Sequence, residues 1–337
     1  MMTVCWSAPI RGRRHPPVND MDRGGPVDLV TGGAGFIGTH LTSQLRAAGR
    51  TVRVLDLVDP PAAADQFVRG SITDADTVAE AVRGADRVFH VAGTPSLWSA
   101  DAERFDRLNR AAAEQVMDAA MAAGVRAFVL TSSHAVDVRG TLPGPYTRAK
   151  LAAEQAALQR AAAGQPIYVV RPTLPIGPGD RNLTPPMRML ADFLSGRVPA
   201  YLEFETNLID VRDVAEGHIR VTERGMTGHP YVLGGHNLMM SALLQMLQQA
   251  SGRRMPRWRV PHGVALMAGH ISERIARVTG REPKASLEGV RLAGGLNPVD
   301  PDALAPLGIT PRPLYQTMQA ACTWLIRSGR AGAGGDK

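Results

Sequence analysis

Only two cysteines, Cys5 and Cys322, occur in the 337 residues. They are too few and too far apart for a disulfide framework or a metal site, which predicts a reducing, cytoplasmic location. The nine histidines show no ligand spacing, so no metal is expected. No apolar run approaches the roughly 18 uncharged residues of a membrane-spanning helix. Aromatics are only 5% of the chain and the arginines behind its net charge of +7 are scattered, so no stacking platform or basic stripe predicts a nucleic-acid partner. A secretory core is missing near the start: residues 1–26 contain RGRRHPPVND with little apolar periodicity and read as a disordered extension rather than a targeting signal.

The residue in shortest supply relative to its class is lysine, with three against 35 arginines. One of the three lies in Tyr146-Thr147-Arg148-Ala149-Lys150, which also holds one of the five tyrosines. Chance would give Tyr-x-x-x-Lys about 0.04 times in such a chain. Four residues apart on a helix, phenol and ammonium project from one face. The cation is expected to favour phenolate and draw the tyrosine toward the working range of a general acid/base. By itself the pair is equally compatible with an exposed helix start carrying a chance lysine.

A second motif bears on that choice. Val27-Asp28-Leu29-Val30-Thr31 reads as a buried strand that runs into Gly32-Gly33-Ala34-Gly35-Phe36-Ile37-Gly38 and then an amphipathic helix through about Ala48. Glycines 33, 35 and 38 satisfy G-x-G-x-x-G, which lets the backbone turn tightly, approach a pyrophosphate and bring helix against strand. A second strand, from Thr51 to Leu55, ends on Asp56, 18 residues beyond Gly38. A carboxylate there accepts hydrogen bonds from an adenosine ribose and repels a 2′-phosphate, so the expected cofactor is NAD rather than NADP.

Together with the strand HVAG at 90–93, Asn109, TSS at 131–133, RPTLPIGPGD at 171–180 and DVRDVAEG at 210–217, these motifs resemble the extended short-chain dehydrogenase/reductases over about residues 27–328. LWSADAERFDRLN, ADFLSGRVPAY, NLIDVRDVAEGH and TGREP are most similar to the group called hopanoid-associated sugar epimerases, close to the dihydroflavonol-type reductases. The resemblance implies Tyr146 as acid/base, Lys150 as its electrostatic partner and ribose ligand, and Ser133 as hydrogen-bond partner of the reacting oxygen. It also implies a cofactor site. Gly32, Gly35, Phe36, Ile37 and Gly38 fall on the pyrophosphate turn and Asp56 on the ribose, with Ser71 and Ile72 near adenine. Val91, Ala92 and Gly93 fall on the strand end beneath the cofactor, Asn109 on the backbone near the nicotinamide ribose, and Pro172 and Thr173 beside the nicotinamide.

Three departures from the family pattern matter. Ser71 stands where an aspartate usually contacts adenine. Only 13 positions separate Ser133 from Tyr146, which trims a substrate-covering loop. Glu205-Thr206-Asn207 replaces the arginine that binds the diphosphate of a nucleotide sugar, and a diphosphate without its bidentate cation binds poorly.

The expected fold is α/β: a Rossmann doubly wound parallel sheet with a smaller, mostly helical C-terminal substrate domain. Residues 27–180 form the NAD-binding domain, with 206–234 returning to it; 181–205 and 235–330 form the substrate subdomain. Helices are predicted over Pro186 to Gly196, Leu238 to Ala250, Val264 to Val278 and Leu314 to Arg327. Met187, Met189, Leu190, Phe193, Leu194 and Trp98 line either a pocket or, as methionines at helical spacing usually do, the core. Arg253-Arg254-Met255-Pro256-Arg257-Trp258-Arg259 is read as a solvated loop leading to a packed helix, in preference to a peripheral membrane contact. The resemblance further implies a homodimer built on residues 101–123 and 146–162. The expected activity is that of an NAD(P)-dependent oxidoreductase acting on a secondary alcohol or ketone of a small, non-nucleotide-linked molecule, hydrophobic or lipid-linked. The alternatives are an NAD-dependent sugar or nucleotide-sugar epimerase/dehydratase and a non-catalytic dinucleotide sensor.

Overall fold

A computed structural model describes residues 25–332 except 61–63, 102, 140–143 and 284–285; the expected N-terminal extension therefore lies, apart from its last two residues, outside the described residues. The chain runs β1 (Val27–Thr31), α1 (Phe36–Ala47), β2 (Thr51–Asp56), β3 (Gln66–Arg69), α2 (Ala75–Val82) and β4 (Ala85–His90). It continues through α3 (Glu103–Phe105), a π-helical stretch (Asp106–Ala111) and α4 (Ala112–Ala122) to β5 (Ala127–Thr131), α5 (Pro145–Ala162), β6 (Ile167–Pro172) and β7 (Leu174–Ile176). Then come α6 (Pro185–Leu194), β8 (Ala200–Leu202), β9 (Glu205–Asp210), α7 (Val211–Arg224), β10 (Pro230–Leu233), β11 (His236–Met239), α8 (Met240–Ser251), β12 (Trp258–Val260), α9 (His262–Thr279), α10 (Leu287–Gly295) and α11 (Leu314–Arg327).

Seven strands form one parallel sheet in the order β10-β6-β5-β4-β1-β2-β3. Parallel strands need helical crossovers, which cover both faces and demand apolar residues on both sides of each strand. The β5 sequence AFVLT is buried throughout. On one face Val78, Val116, Met117 and Ala153 pack under α2, α4 and α5; on the other Leu41, Leu45, Val214 and Ala215 pack under α1 and α7. Between β1 and β4 the strand order reverses, opening a crevice at their carboxyl ends where ligands of such sheets bind.

The second core cluster lies in the later part of the chain, where α6, α8 and α11 pack on β7 and β9. Met187, Leu190, Phe193 and Leu194 are buried in it, with Met189 packed alongside, so the α6 stripe is core rather than pocket. Leu238 belongs to a strand instead of opening a helix: it pairs with Thr206 in the antiparallel β11·β9 ladder, and α8 begins only after Met239. Helical spacing of Leu238 with the residues after it hid a two-residue turn back into β9.

Candidate active site

The turn after β1 is shaped by close approaches that only glycine permits. Gly32 has φ +72°, and a Cβ there would lie 2.8 Å from the Ala92 backbone; at Gly33 it would meet the Val54 methyls at 2.6 Å and at Gly38 the Gly32 carbonyl at 2.1 Å. Gly35 is the exception, with its nearest atom, the Gly32 carbonyl oxygen, at 3.1 Å. Packing of the protein alone thus explains the bare backbone at 32, 33 and 38 better than at 35. The helix α1 that follows has no side-chain cap and no acidic residue in its first turn. The first amides of the helix are therefore left without a capping side chain.

Asp56 closes the other side of this turn. Its Oδ2 accepts from the Ala34 amide at 2.9 Å and its Oδ1 from the Leu57 amide at 2.7 Å. Ser71 is engaged locally: its Oγ lies 2.8 Å from Thr73 Oγ1 and accepts from the Thr73 amide. Ile72 is buried in the core under α2 and α4, with its carbonyl held by Gln115.

Across the crevice, the exit from β4 is pinned to β1, as the Val91 amide donates to the Thr31 carbonyl and the Ala92 amide to Thr31 Oγ1. Asn109, 2% exposed on the π-helical stretch, then clamps Thr94 from both sides: Oδ1 accepts from its amide at 2.9 Å and Nδ2 donates to its carbonyl at 3.1 Å. A Cβ on Gly93 would meet that Oδ1 at 2.6 Å and lie 3.7 Å from Lys150 Nζ. Gly93, Asn109 and Lys150 therefore meet at one point. Pro172 ends β6, and the next residue, Thr173, donates from Oγ1 to Asn207 Oδ1 at 2.9 Å.

Tyr146 and Lys150 both lie on α5, and Ser133, whose side chain accepts from the Ala135 amide, stands beside the Tyr146 phenol. The three residues expected to act together are brought together. Their electrostatics differ from the expectation, however. Burial pushes the Tyr146 phenol above its usual value, only partly offset by Ser133, with the Glu288 charge adding to the rise. Lys150 is drawn down to about 8 by burial and spends a hydrogen on the Thr131 carbonyl at 2.9 Å. In a poorly hydrated site both ionised forms are disfavoured, and that outweighs the attraction a four-residue spacing suggests.

The residues around this centre were not visible as site residues in the sequence. His90 Nδ1 lies 2.9 Å from Thr31 Oγ1, and burial first, then Lys150, lowers it to about 3. His218, lowered by burial to about 4, joins Thr131 Oγ1 at 2.8 Å. Both are neutral structural histidines. Phe105, Ala135, Ala149, Leu97 and Leu292 pack around Tyr146, Phe105 edge-on at 6.3 Å between ring centres.

Glu288, from α10, makes the least expected contact. Its carboxylate accepts from the Thr147 amide and hydroxyl at 2.8 and 2.7 Å and from the Tyr146 amide at 3.3 Å, so it caps the helix that carries the tyrosine. Gly144 makes room, since a Cβ there would lie 2.2 Å from this carboxylate. The signal in the sequence is negative: Gly144-Pro145 puts no serine, threonine, aspartate or asparagine at the start of α5, so its cap must come from elsewhere.

Among the described residues no group of three His, Cys, Asp or Glu is arranged to hold a metal, and no helix is long and apolar enough to cross a membrane. The family described as NAD dependent epimerase/dehydratase matches residues 29–234. A Synechocystis sp. protein named as a dihydroflavonol 4-reductase is 33% identical over 329 residues, covering 89% of this chain and 95% of that one. The 3 beta-hydroxysteroid dehydrogenase/Delta 5→4-isomerase of Mycobacterium tuberculosis is 31% identical over 267 residues, covering 69% and 71%. The crystal structure of gox2253 superposes with a TM-score of 0.76 at 32% identity, covering 90% of this chain and 99% of that one. By its matched segment, its near full-length relatives and its fold, the chain belongs to the NAD dependent epimerase/dehydratase family of extended short-chain dehydrogenase/reductases.

Proposed function

We propose that this protein is an NAD(H)-dependent oxidoreductase that interconverts a secondary alcohol and a ketone on a small, largely apolar molecule not linked to a nucleotide. The observation that carries the reading is the placing of Ser133 beside the Tyr146 phenol, on the crevice where Lys150 Nζ, from the same helix as Tyr146, approaches Gly93. NAD, when bound, supplies the hydride acceptor or donor. The chain supplies the rest. The Gly35 turn and the α1 amides hold the pyrophosphate. Asp56 holds the adenosine ribose, and the neighbouring cation, Arg69, is taken by the Leu57 carbonyl and by Asp59. Ser71 and Ile72 flank the adenine side, while Val91, Ala92, Gly93 and Asn109 shape the floor and Pro172 and Thr173 the nicotinamide side.

Tyr146 Oη holds the proton that passes to or from the substrate oxygen, and the Ser133 hydroxyl orients that oxygen. Lys150, held on Thr131, presents its ammonium to the ribose hydroxyls and to the charge that develops as Tyr146 releases its proton. The raised phenol of the free enzyme keeps its proton for ketone reduction, whereas the ammonium, lowered by burial, gains the partners it lacks when the ribose hydroxyls enter.

The apolar substrate is supported by the side chains packed around Tyr146 and by relatives named for dihydroflavonol and steroid substrates. Against a nucleotide sugar stands Asn207. Its Oδ1 already accepts from Thr173 and the Gly235 amide and its Nδ2 donates to Asn237, so the segment that would bind a diphosphate is spent on holding Thr173.

Tyr146→Phe tests the reading. It is expected to lower hydride transfer, followed as NADH absorbance over a panel of apolar secondary alcohols, by about a thousandfold while NAD affinity is kept. Unchanged transfer would sink the mechanism. NAD that stays bound through purification and never turns over as free NADH would instead favour an epimerase.

A further inference from the structure

Helix α9 is built inside out. Val264, Met267, Ile271, Ile275 and Val278 recur at spacings of three and four, forming one stripe along the helix. In an ordinary surface helix that stripe faces the core. Here all five are between 48% and 88% exposed, while the buried positions are the small Gly269 and Ala276. Glu273, on the packed side, accepts from the Leu287 amide at 2.8 Å and ties α9 to α10. The structure thus corrects the expectation of a packed helix: the helix forms, with its apolar side turned outward. Trp258, on β12 just before the helix in the chain, is 79% exposed.

The rim of the stripe is basic. His270, Arg274 and Arg277 lie exposed on α9, and Arg254, Arg257 and Arg259 on the approach to it. Arg259 pairs with Glu203, and Glu282 beyond the helix is taken by Arg188. Arg254, Arg257, Arg274 and Arg277 form no ion pair among the described residues. A second copy of the chain on this stripe would set arginine against arginine. An anionic lipid surface satisfies both halves of the patch, because aliphatic side chains enter the headgroup boundary, unpaired arginines meet phosphates, and tryptophan prefers that interface.

We propose that α9, with Trp258 and the arginines before it, docks on an anionic phospholipid bilayer. The docked helix stands one layer from the reaction centre: α9 packs on α10, whose Glu288 caps the Tyr146 helix and whose Leu292 packs against the Tyr146 cluster. The inference does not rest on the oxidoreductase reading, since binding to lipid is measured without turnover.

The test is flotation of the full chain with vesicles of equimolar phosphatidylglycerol and phosphatidylcholine, and with phosphatidylcholine alone. The expected result is binding to the anionic vesicles at least about tenfold above the neutral ones, since each arginine near a charged surface contributes roughly fivefold. Ile271→Asp/Ile275→Asp should remove it while leaving the melting temperature unchanged, because both side chains are exposed. Arg274→Glu/Arg277→Glu should weaken it, and binding of the wild type should fall as salt is added. No flotation with anionic vesicles, equal flotation with neutral ones, or flotation unaffected by Ile271→Asp/Ile275→Asp would overturn the proposal. So would a wild-type dimer that the same double variant converts to monomer, which would assign the stripe to a second copy.

Discussion

The two ends of the same parallel sheet handle charge in opposite ways. At the amino ends of the strands, Asp28 is fully buried yet receives two guanidinium forks: Arg50 donates to it at 2.8 and 2.7 Å, Arg87 at 2.9 and 2.5 Å. Arg50 and Arg126 then share Asp86. Every charge there has its partner. At the carboxyl ends, Lys150 has only a neutral carbonyl, and the phenol and imidazoles beside it are held neutral by burial. The first cluster is complete in the protein as it stands; the second is completed only when something polar or anionic enters. A structural charge network and a reactive site differ here less in residue type than in whether the desolvation of each charge is already compensated.

That contrast can be broken by experiment. The largest effect is expected at the paired end: Asp28→Ala strands Arg87 in the core and should destabilise the fold by about 3–5 kcal/mol in urea titration. Little change would mean that water or relaxation compensates the arginines. At the open end, Lys150→Met should do the reverse, raising the melting temperature while cutting turnover by two or more orders of magnitude, roughly 3 kcal/mol in the barrier. The sign follows from linkage. A lysine at about 8 when folded and at its ordinary, higher value when unfolded leaves the unfolded chain binding more protons between those two values, so wild-type stability rises with pH across that window. The variant should lose this slope, and wild-type kcat/KM for ketone reduction should fall as pH climbs through about 8.

Smaller effects sharpen the picture of the open end. Asp56→Ala is expected to raise KM for NAD about tenfold, the loss of a hydrogen bond to a charged group, and to narrow the preference over NADP. Equal losses for both dinucleotides would remove Asp56 as the discriminating residue. Glu288→Gln keeps a cap of the same shape but removes the charge that raises Tyr146. The change in rate should be a few-fold, and the acid-side limb of alcohol oxidation, where Tyr146 must have lost its proton, should move to lower pH. A purely structural cap would leave that profile where it is.

The backbone of this site was legible because it depends on local chemistry. Strand, glycine turn and helix from Val27 to Ala47 follow from three glycines whose missing side chains make the turn possible, and Asp56 closes β2 where the count from Gly38 puts it. Leu238 shows where pattern reading failed, since a helical spacing was overridden by pairing with Thr206 across the chain. Asn207 shows another limit. Its neighbourhood departs visibly from the arginine of nucleotide-sugar enzymes, but that it spends its amide on Thr173 and Asn237 depends on three segments meeting in space.

The sequence by itself determined the parallel sheet, the dinucleotide turn and the pairing of Tyr146 with Lys150 on one helix, because each is set by residues within one or two neighbouring elements. Only the tertiary structure decided the ionisation of that pair, the Glu288 cap that reaches α5 from 142 residues away along the chain, and the outward turn of the α9 stripe. Burial and long-range hydrogen bonding are properties of what surrounds a residue, and a linear pattern records spacing but not surroundings.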